Sequence, residues 1–310
     1  MSERILIISH NRDVDGMGSV ILLKSIYENV EYYLTGISRA NQEELVNLLN
    51  TESDKYNIIY ICDLPLDEDI AEKVSLIGSN IHHFDHHKTN MGTNKYNFST
   101  VIVEKNGEMQ CATSIFYNYL LESTNEDLLK SRGVLDFVEL VRIIDTWDTN
   151  SPNFNKARDL AILFDCIGAK EFIELYSNKI KSGFGSFEFT EEELEIVETR
   201  KKEINDYIDY CEQKMKIIDY NGYKCGVLTC DKYFTEVGNA LCDRNPDTID
   251  FIVLVGRRCS FRTRKDIDVS AIAQIYGGGG HKRASGCDVS ETLLNDFNVD
   301  SYVLKKANKW

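Results

Sequence analysis

The chain has 310 residues, 43% of them apolar, enough to bury a substantial core and more typical of two domains than one. With 35 basic and 50 acidic residues its net charge is −15, which disfavours binding a long polyanion along the surface, so any nucleic-acid substrate should be short or locally gripped. No long apolar run occurs, and the opening "MSERILIISH" lacks the pattern of a signal peptide, so a cytoplasmic protein without membrane contact is expected.

Nine cysteines are scattered from Cys62 to Cys287 without a CxxC pair, which fits neither a disulfide framework nor a zinc ribbon. They read as reduced, small core residues.

The first short apolar run, "RILIIS" at 4–9, predicts a strand, and "GSVILLKSIYENV" at 18–30 predicts a helix. "NIIYIC" at 57–62 and "NIHHF" at 80–84 predict further strands, and "CATSIFYNYLLES" at 111–123 another helix. Strands alternating with helices imply a parallel sheet covered on both faces. Residues 189–215 carry a long charged helical pattern with one apolar stripe, as expected of a helix joining two domains. Beyond it come the strand patterns "YKCGVLTC", "DFIVLVGR" and "RCSFRT", then a helix and a glycine run. The expected plan is α/β, with an N-terminal domain of parallel sheet and helices over 1–185, a connecting helix over 186–215 and a smaller α/β domain over 216–310.

Chemistry concentrates at the carboxyl ends of the predicted strands, where open α/β sheets build their sites. The first run leads into "SHNRDVDG" with His10, Asp13 and Asp15; "YICDLP" delivers Asp63; "HHFDHH" delivers Asp85, His86 and His87. Taken singly, a "DxDG" is a helix cap or turn and an aspartate after a strand is a loop residue. Four histidines within six positions, in a chain with six, are harder to treat as accident. Imidazoles and carboxylates without a thiolate suit divalent metals such as manganese.

Together, "HNRDVDG", "ICDL", "FDHHKTN" and "ELVRIIDTWD" resemble the DHH phosphoesterase superfamily, and "CSFRTRKDIDVSAIAQIYGGGGHKRASGC" resembles the DHHA1 domain that accompanies it. Within the superfamily the segments are most similar to the bacterial oligoribonuclease (nanoRNase) B group. The resemblance implies two divalent metal ions, manganese by preference with magnesium or cobalt as alternatives. They would be held by His10, Asp13, Asp15, Asp63, His86 and Asp145, with Asp63 bridging. The spacing from His10 to Asp13 differs from that of many members, which leaves His10 either a ligand or the group that orients a bound water. Asp145 is preferred to Asp148 because it aligns with the "DTW" of the family. Asp85 is expected to orient an imidazole, and His87 to meet the substrate phosphate or leaving group. Two close cations can lower the pKa of a shared water and neutralise charge on an attacked phosphate.

The C-terminal domain is expected to grip the substrate. In "GGGGH" the glycines Gly278, Gly279 and Gly280 let backbone amides approach a phosphate, His281 and Arg283 add positive donors, and Arg262 can take a phosphate bidentately. The implied function is metal-dependent hydrolysis of very short RNA to nucleoside monophosphates, in a cleft between the domains, by a monomer or homodimer. Phosphoesters such as 3′,5′-bisphosphorylated adenosine, cyclic nucleotides or linear dinucleotides remain as alternative substrates. A manganese pyrophosphatase is disfavoured by the "GGGGHKRASG" motif, and an inactive nucleotide-binding module by the presence of every acid.

Overall fold

A computed structural model describes residues 3–78, 80–183 and 185–300. The chain divides into two compact units, Met1–Val197 and Glu198–Trp310.

In the first unit, β1 (Ile5–His10), α1 (Val14–Ile26), β2 (Val30–Thr35), α2 (Arg39–Glu52), β3 (Ile58–Cys62), α3 (Glu68–Ser75), β4 (Ile81–Asp85) and β5 (Ser99–Val101) alternate strand and helix. A hairpin of β6 (Glu104–Lys105) and β7 (Glu108–Met109) precedes the helices α4 (Ala112–Ser123), α5 (Arg132–Asp145) and α6 (Phe154–Lys181). The helical path of α6 breaks once, at Gly168, whose φ of 80° is readily reached only without a Cβ. The five strands β1 to β5 form one sheet in the order β2-β1-β3-β4-β5, every neighbouring pair parallel.

That sheet is buried on both faces, which is why β1 and β3 are continuously apolar. Ile5 and Ile7 of β1, with Tyr60 and Cys62 of β3, join the core beneath α1, α4 and α5, around Met17, Phe116 and Phe137. The alternate residues Leu6, Ile8, Ile59 and Ile61 face α2 and α3 through Leu45, Leu49 and Ile70. The period of two in a strand thus feeds two separate cores.

The sequence-predicted helix over 18–30 is corrected at its end: α1 stops at Ile26, and Val30 opens β2. β2 lies at the sheet edge and is only half buried, so its "VEYYLT" carries too weak an apolar signal to stand out from the preceding helix.

Helix α7 (Glu191–Lys214) runs through the dividing line of the two units. Val197 belongs to the core of the first unit, and Ile208 and Cys211 to that of the second. The second unit continues with β8 (Lys216–Tyr220), β9 (Tyr223–Thr229), α8 (Phe234–Arg244), β10 (Phe251–Val255), β11 (Cys259–Arg262), α9 (Val269–Ile275), β12 (Gly279–His281), β13 (Ala284–Cys287) and α10 (Glu291–Asp296). Its sheet has the order β12-β13-β11-β10-β9-β8, in which only β9 and β10 run parallel. Among the described residues no helix is long and apolar enough to cross a membrane.

Candidate active site

The carboxyl ends of β1, β3 and β4 bring their following residues to one edge of the parallel sheet. His10 is the last residue of β1; its Nε2 stands 2.9 Å from Asp63 Oδ2, and its Nδ1 accepts from the Arg12 amide at 3.2 Å. Asp13 is the N-cap of α1, where one carboxylate oxygen accepts from the amides of Asp15 and Gly16, both at 3.1 Å. The helix begins so close to the strand that a Cβ on Gly16 would lie 2.3 Å from the His10 carbonyl oxygen. Only glycine fits there.

Asp15 is wholly buried and is held from the opposite side by the start of α4. Its Oδ2 accepts from the Ala112 amide at 2.7 Å and its Oδ1 from the Thr113 amide at 2.8 Å, while the Thr113 hydroxyl donates to the Asp15 carbonyl at 2.9 Å. A helix N-terminus thereby receives a carboxylate that belongs to another helix. Sequence reasoning missed this role of Ala112 and Thr113, because unpaired amides at a helix start carry no side-chain signature.

Asp63 follows β3 with φ of 56°, a left-handed conformation sparsely used by residues with a side chain. Its backbone amide donates to the Phe84 carbonyl at 3.0 Å, which fixes the turn. His86 Nε2 lies 3.4 Å from Asp63 Oδ1, 3.5 Å from Asp145 Oδ2 and 3.8 Å from Asp15 Oδ2. Asp145 closes α5, so His10, Asp13, Asp15, Asp63, His86 and Asp145 come together from five elements or their ends. Asp148 points elsewhere, with a carboxylate oxygen 3.5 Å from Arg142 Nη2.

The electrostatics of this cluster are those of too many carboxylates in too little water. Burial and the Asp63 charge push the Asp15 carboxyl up to about 7, against the pull of His86 and Thr113. Burial and Asp15 push Asp145 up to about 9. Burial works against a charged His86, yet Asp63, Asp15 and Asp145 hold its pKa up at about 10. Burial also opposes ionised Asp63, but His10 and His86 hold its carboxyl well below the usual range. Asp63 Oδ1 and Asp145 Oδ2 are buried and accept no well-formed hydrogen bond, sharing instead the longer ion-pair approach of His86 Nε2 at 3.4 and 3.5 Å. Orphaned carboxylate oxygens of this kind are costly unless a cation or donor meets them. The donors group as His10, Asp13 and Asp63; as Asp15, His86 and Asp145; and as Asp63, Asp85, His86 and His87, each set within 4.8 Å. All are oxygen or imidazole donors, so the residues present can hold divalent metal.

Asp85, the last residue of β4, is wholly buried. Its Oδ1 lies 2.7 Å from His87 Nδ1, and its Oδ2 accepts from Asn90 Nδ2 at 2.5 Å. Burial would raise the Asp85 carboxyl, but His87, His83 and Asn90 hold it low; Asp85 in turn raises His87. With Nδ1 committed to Asp85, the half-exposed His87 ring has Nε2 left for other work. Asn90, inside "FDHHKTN", is a further residue of the site not singled out from the sequence. The other two histidines of the run are structural. His83 is wholly buried between Ser99 Oγ and the Leu64 carbonyl, each at 2.9 Å, and burial lowers its pKa. His82 lies against the rings of Tyr60 and Tyr119.

In the second unit, Arg262 ends β11 half-buried; its Nη1 donates to Ser260 Oγ at 2.7 Å and to its neighbour's carbonyl, of Phe261, at 2.9 Å. No carboxylate pairs with it among the described residues, and burial lowers its pKa. The glycine run proves to be packed backbone: a Cβ on Gly278 would lie 2.1 Å from the Gly286 carbonyl oxygen, and one on Gly280, at φ 137°, would lie 2.7 Å from Ser285 Cα. Gly279 alone of these three has open space above it, where it lines a cavity of about 600 Å³ with Phe234, Arg257, Arg258, Cys259, Ser260 and Gly286. His281 ends β12 and Arg283 lies in the turn that follows, both exposed.

Residues 4–141 match the DHH family, N-terminal domain. The chain is 31% identical over 304 residues to the oligoribonuclease NrnB of Bacillus subtilis (strain 168), covering 95% of this chain and 75% of that protein. Among solved structures, exonuclease RecJ bound to manganese superposes with a TM-score of 0.59 at 15% identity, over 100% of this chain and 91% of that one. A pGpG-specific phosphodiesterase, PggH from a Vibrio, gives 0.55 at 14% identity, over 99% of both chains. The family match over residues 4–141 and the 31% identity to the Bacillus enzyme across 95% of this chain establish that the chain belongs to the DHH family of phosphoesterases.

Proposed function

We propose that the protein hydrolyses short RNA oligonucleotides to nucleoside monophosphates, using two divalent metal ions, manganese by preference. The carrying observation is the pair of buried carboxylate oxygens on Asp63 and Asp145 that lack a hydrogen bond and converge on the one imidazole of His86, amid raised acid pKa values. His10, Asp13 and Asp63 would hold one ion, and Asp15, His86 and Asp145 the other, with Asp63 shared. Bound there, divalent cations acidify water and offset charge on a phosphate. The likeness to an oligoribonuclease supports the substrate class, and the manganese bound by a protein of the same fold supports the metal.

The protein's own side chains take the remaining tasks. His87, oriented by Asp85 and raised in pKa by it, offers Nε2 to donate a proton to the leaving oxygen. Arg262, a half-buried cation without a carboxylate partner, suits a substrate phosphate. Gly279, His281 and Arg283 are assigned to the same end of the substrate, Gly278 and Gly280 supporting them by letting β12 pack closely on β13. The acidic exterior, at −15 net charge, fits a short substrate found in the cytoplasm.

The test is product analysis on a labelled RNA ladder of about two to ten nucleotides with manganese, beside pyrophosphate, 3′,5′-bisphosphorylated adenosine and a cyclic dinucleotide. Monophosphates released fastest from the shortest strands, and none in excess chelator, are expected. Preference for one of the other phosphoesters would replace the RNA reading while keeping the metal site, and full turnover in chelator would remove the metal site itself.

A further inference from the structure

Trp147 stands two residues beyond Asp145, in a backbone conformation that a bulky side chain ordinarily avoids. Helix α5 ends in a left-handed cap: the Asp148 amide donates to the Ile143 carbonyl at 2.9 Å and the Trp147 amide to that of Ile144 at 3.3 Å. The residue between, Trp147, has φ of 54°. Glycine is the usual occupant of this position because it alone enters the left-handed region without a Cβ penalty. Strain retained where a glycine would relieve it points to a use for the side chain.

The indole is not there to fill a core. Trp147 is 52% exposed, although it is the largest apolar side chain available. One edge is fixed: the Phe154 ring meets it at 84° with centroids 5.2 Å apart, an edge-to-face contact that holds the ring in place. The result is a held aromatic surface, presented to solvent, on the same cap as a carboxylate of the candidate metal cluster.

We infer that Trp147 is the platform on which a nucleobase of the substrate stacks. The inference rests on the short-RNA reading above and adds how a chain of net charge −15 can hold such a substrate. At a net charge of −15 the exterior offers no long phosphate track, and the phosphate contacts proposed above are confined to the metal cluster and to the few cations around Arg262. Stacking needs no phosphate contact, and it tolerates any base because every base has a π-face. A platform on the helix cap that carries Asp145 also favours short strands, since a single stacked base supplies a share of the grip that does not grow with strand length.

Two substrates and three variants test this. With manganese present, a ribodinucleotide is compared with the same dinucleotide lacking one base, on wild type, Trp147→Ala and Trp147→Phe. Stacking predicts that Trp147→Ala raises KM for the dinucleotide roughly ten- to hundredfold with kcat little changed, that phenylalanine restores much of it, and that the abasic substrate is nearly indifferent. Trp147→Gly, which removes the backbone strain, should show the same KM defect with a thermal midpoint at or above that of Trp147→Ala. The only other tryptophan, Trp310, lies outside the described residues, so in a Trp310→Phe background the emission of Trp147 should be quenched by a phosphorothioate-linked dinucleotide and not by its abasic counterpart.

Equal KM increases on both substrates, or loss of kcat alone, would overturn the stacking role and leave Trp147 a support for Asp145. Wild type that turns over no dinucleotide at all would instead overturn the substrate reading on which the inference stands.

Discussion

Asp15 and Thr113 lie 98 positions apart in sequence, yet the Thr113 amide donates to the Asp15 carboxylate at 2.8 Å. This contact ties α1 to the start of α4, and with the Ala112 amide it holds a fully buried acid by two backbone donors while His86 faces it at 3.8 Å. The approach is close enough that a Cβ on Gly18, one turn along α1, would lie 2.3 Å from Thr113 Oγ1.

Gly18→Ala is therefore expected to misplace Asp15 rather than merely stiffen a helix. In an exposed helix the change would stabilise, by about 1 kcal/mol. Here the clash is with a short, branched, buried side chain, so a loss of roughly 1 to 3 kcal/mol is expected. Chemical denaturation gives the sign, and a lowered manganese affinity measured by titration shows that the displacement reaches Asp15.

Much of this site was legible in the sequence because metal donors must be particular residue types. Asp13, Asp15, Asp63 and His86 stand out by their positions after predicted strands, whereas Asp145 is implied only by the resemblance of "DTW" to the family's motif; the structure brings all five close together. The parts that could not be read act through backbone or through absence. The Ala112 and Thr113 amides have no side-chain signal, and Gly16 and Gly18 matter only through the atoms a Cβ would strike. The sequence presents the glycine run only as residues whose amides can approach a phosphate; that Gly278 and Gly280 are also required by close packing on β13 depends on the pairing of two strands and has no local signal. Strand β2 escaped notice because an edge strand keeps one side half wet.

The cluster makes stability depend on pH in a direction opposite to ordinary acid denaturation. Asp15 and Asp145, pushed up to about 7 and about 9, and His86, held at about 10, all bind protons more tightly folded than unfolded. Stability they contribute is present at low pH and lost as pH rises through those values. The thermal midpoint of metal-free protein should accordingly fall between about pH 6 and about pH 9. Manganese displaces the same protons, so the increment it adds should grow over that range. Scanning calorimetry with and without manganese checks both, and an increment that shrank with pH would contradict the proposed donor set.

Replacing Asp145 by asparagine separates metal binding from folding. The carboxyl is raised to about 9, so near neutral pH an amide resembles the form it already prefers without metal. Metal-free stability should stay level or rise. Activity should fall by roughly two to three orders of magnitude, as when one charge-stabilising group is removed from an active site. The thermal increment from manganese should shrink in parallel. A variant as active as wild type would move the ligand role to another acid.

Arg262→Ala should act on substrate holding. The guanidinium is half-buried, has no carboxylate partner among the described residues, and spends Nη1 on Ser260 and the Phe261 carbonyl, leaving its other edge for a phosphate. Its removal should raise KM more than it lowers kcat, at about 1 to 3 kcal/mol in kcat/KM. Lysine should recover little, because it cannot reproduce the planar fork. A fall in kcat alone would assign Arg262 to transition-state charge instead.

The Asp85 and His87 pair should be visible in the pH dependence of turnover. Asp85 accepts from His87 at 2.7 Å and from Asn90 at 2.5 Å, and its charge is what raises the imidazole above its ordinary value. If His87 donates a proton to the leaving oxygen, kcat/KM declines as pH rises through the His87 pKa, which gives the alkaline limb of the profile. Asp85→Asn removes the charge while retaining volume, so the His87 pKa falls and the limb moves to lower pH. Near the acidic end, where His87 stays protonated in both proteins, the two rates should converge. His87→Asn should flatten the limb, and it should cost least on a dinucleotide analogue whose leaving group is a nitrophenolate, which departs without a proton. A limb that stays in place in Asp85→Asn, or an equal loss on both leaving groups in His87→Asn, would remove His87 as the proton donor and leave it a contact to phosphate.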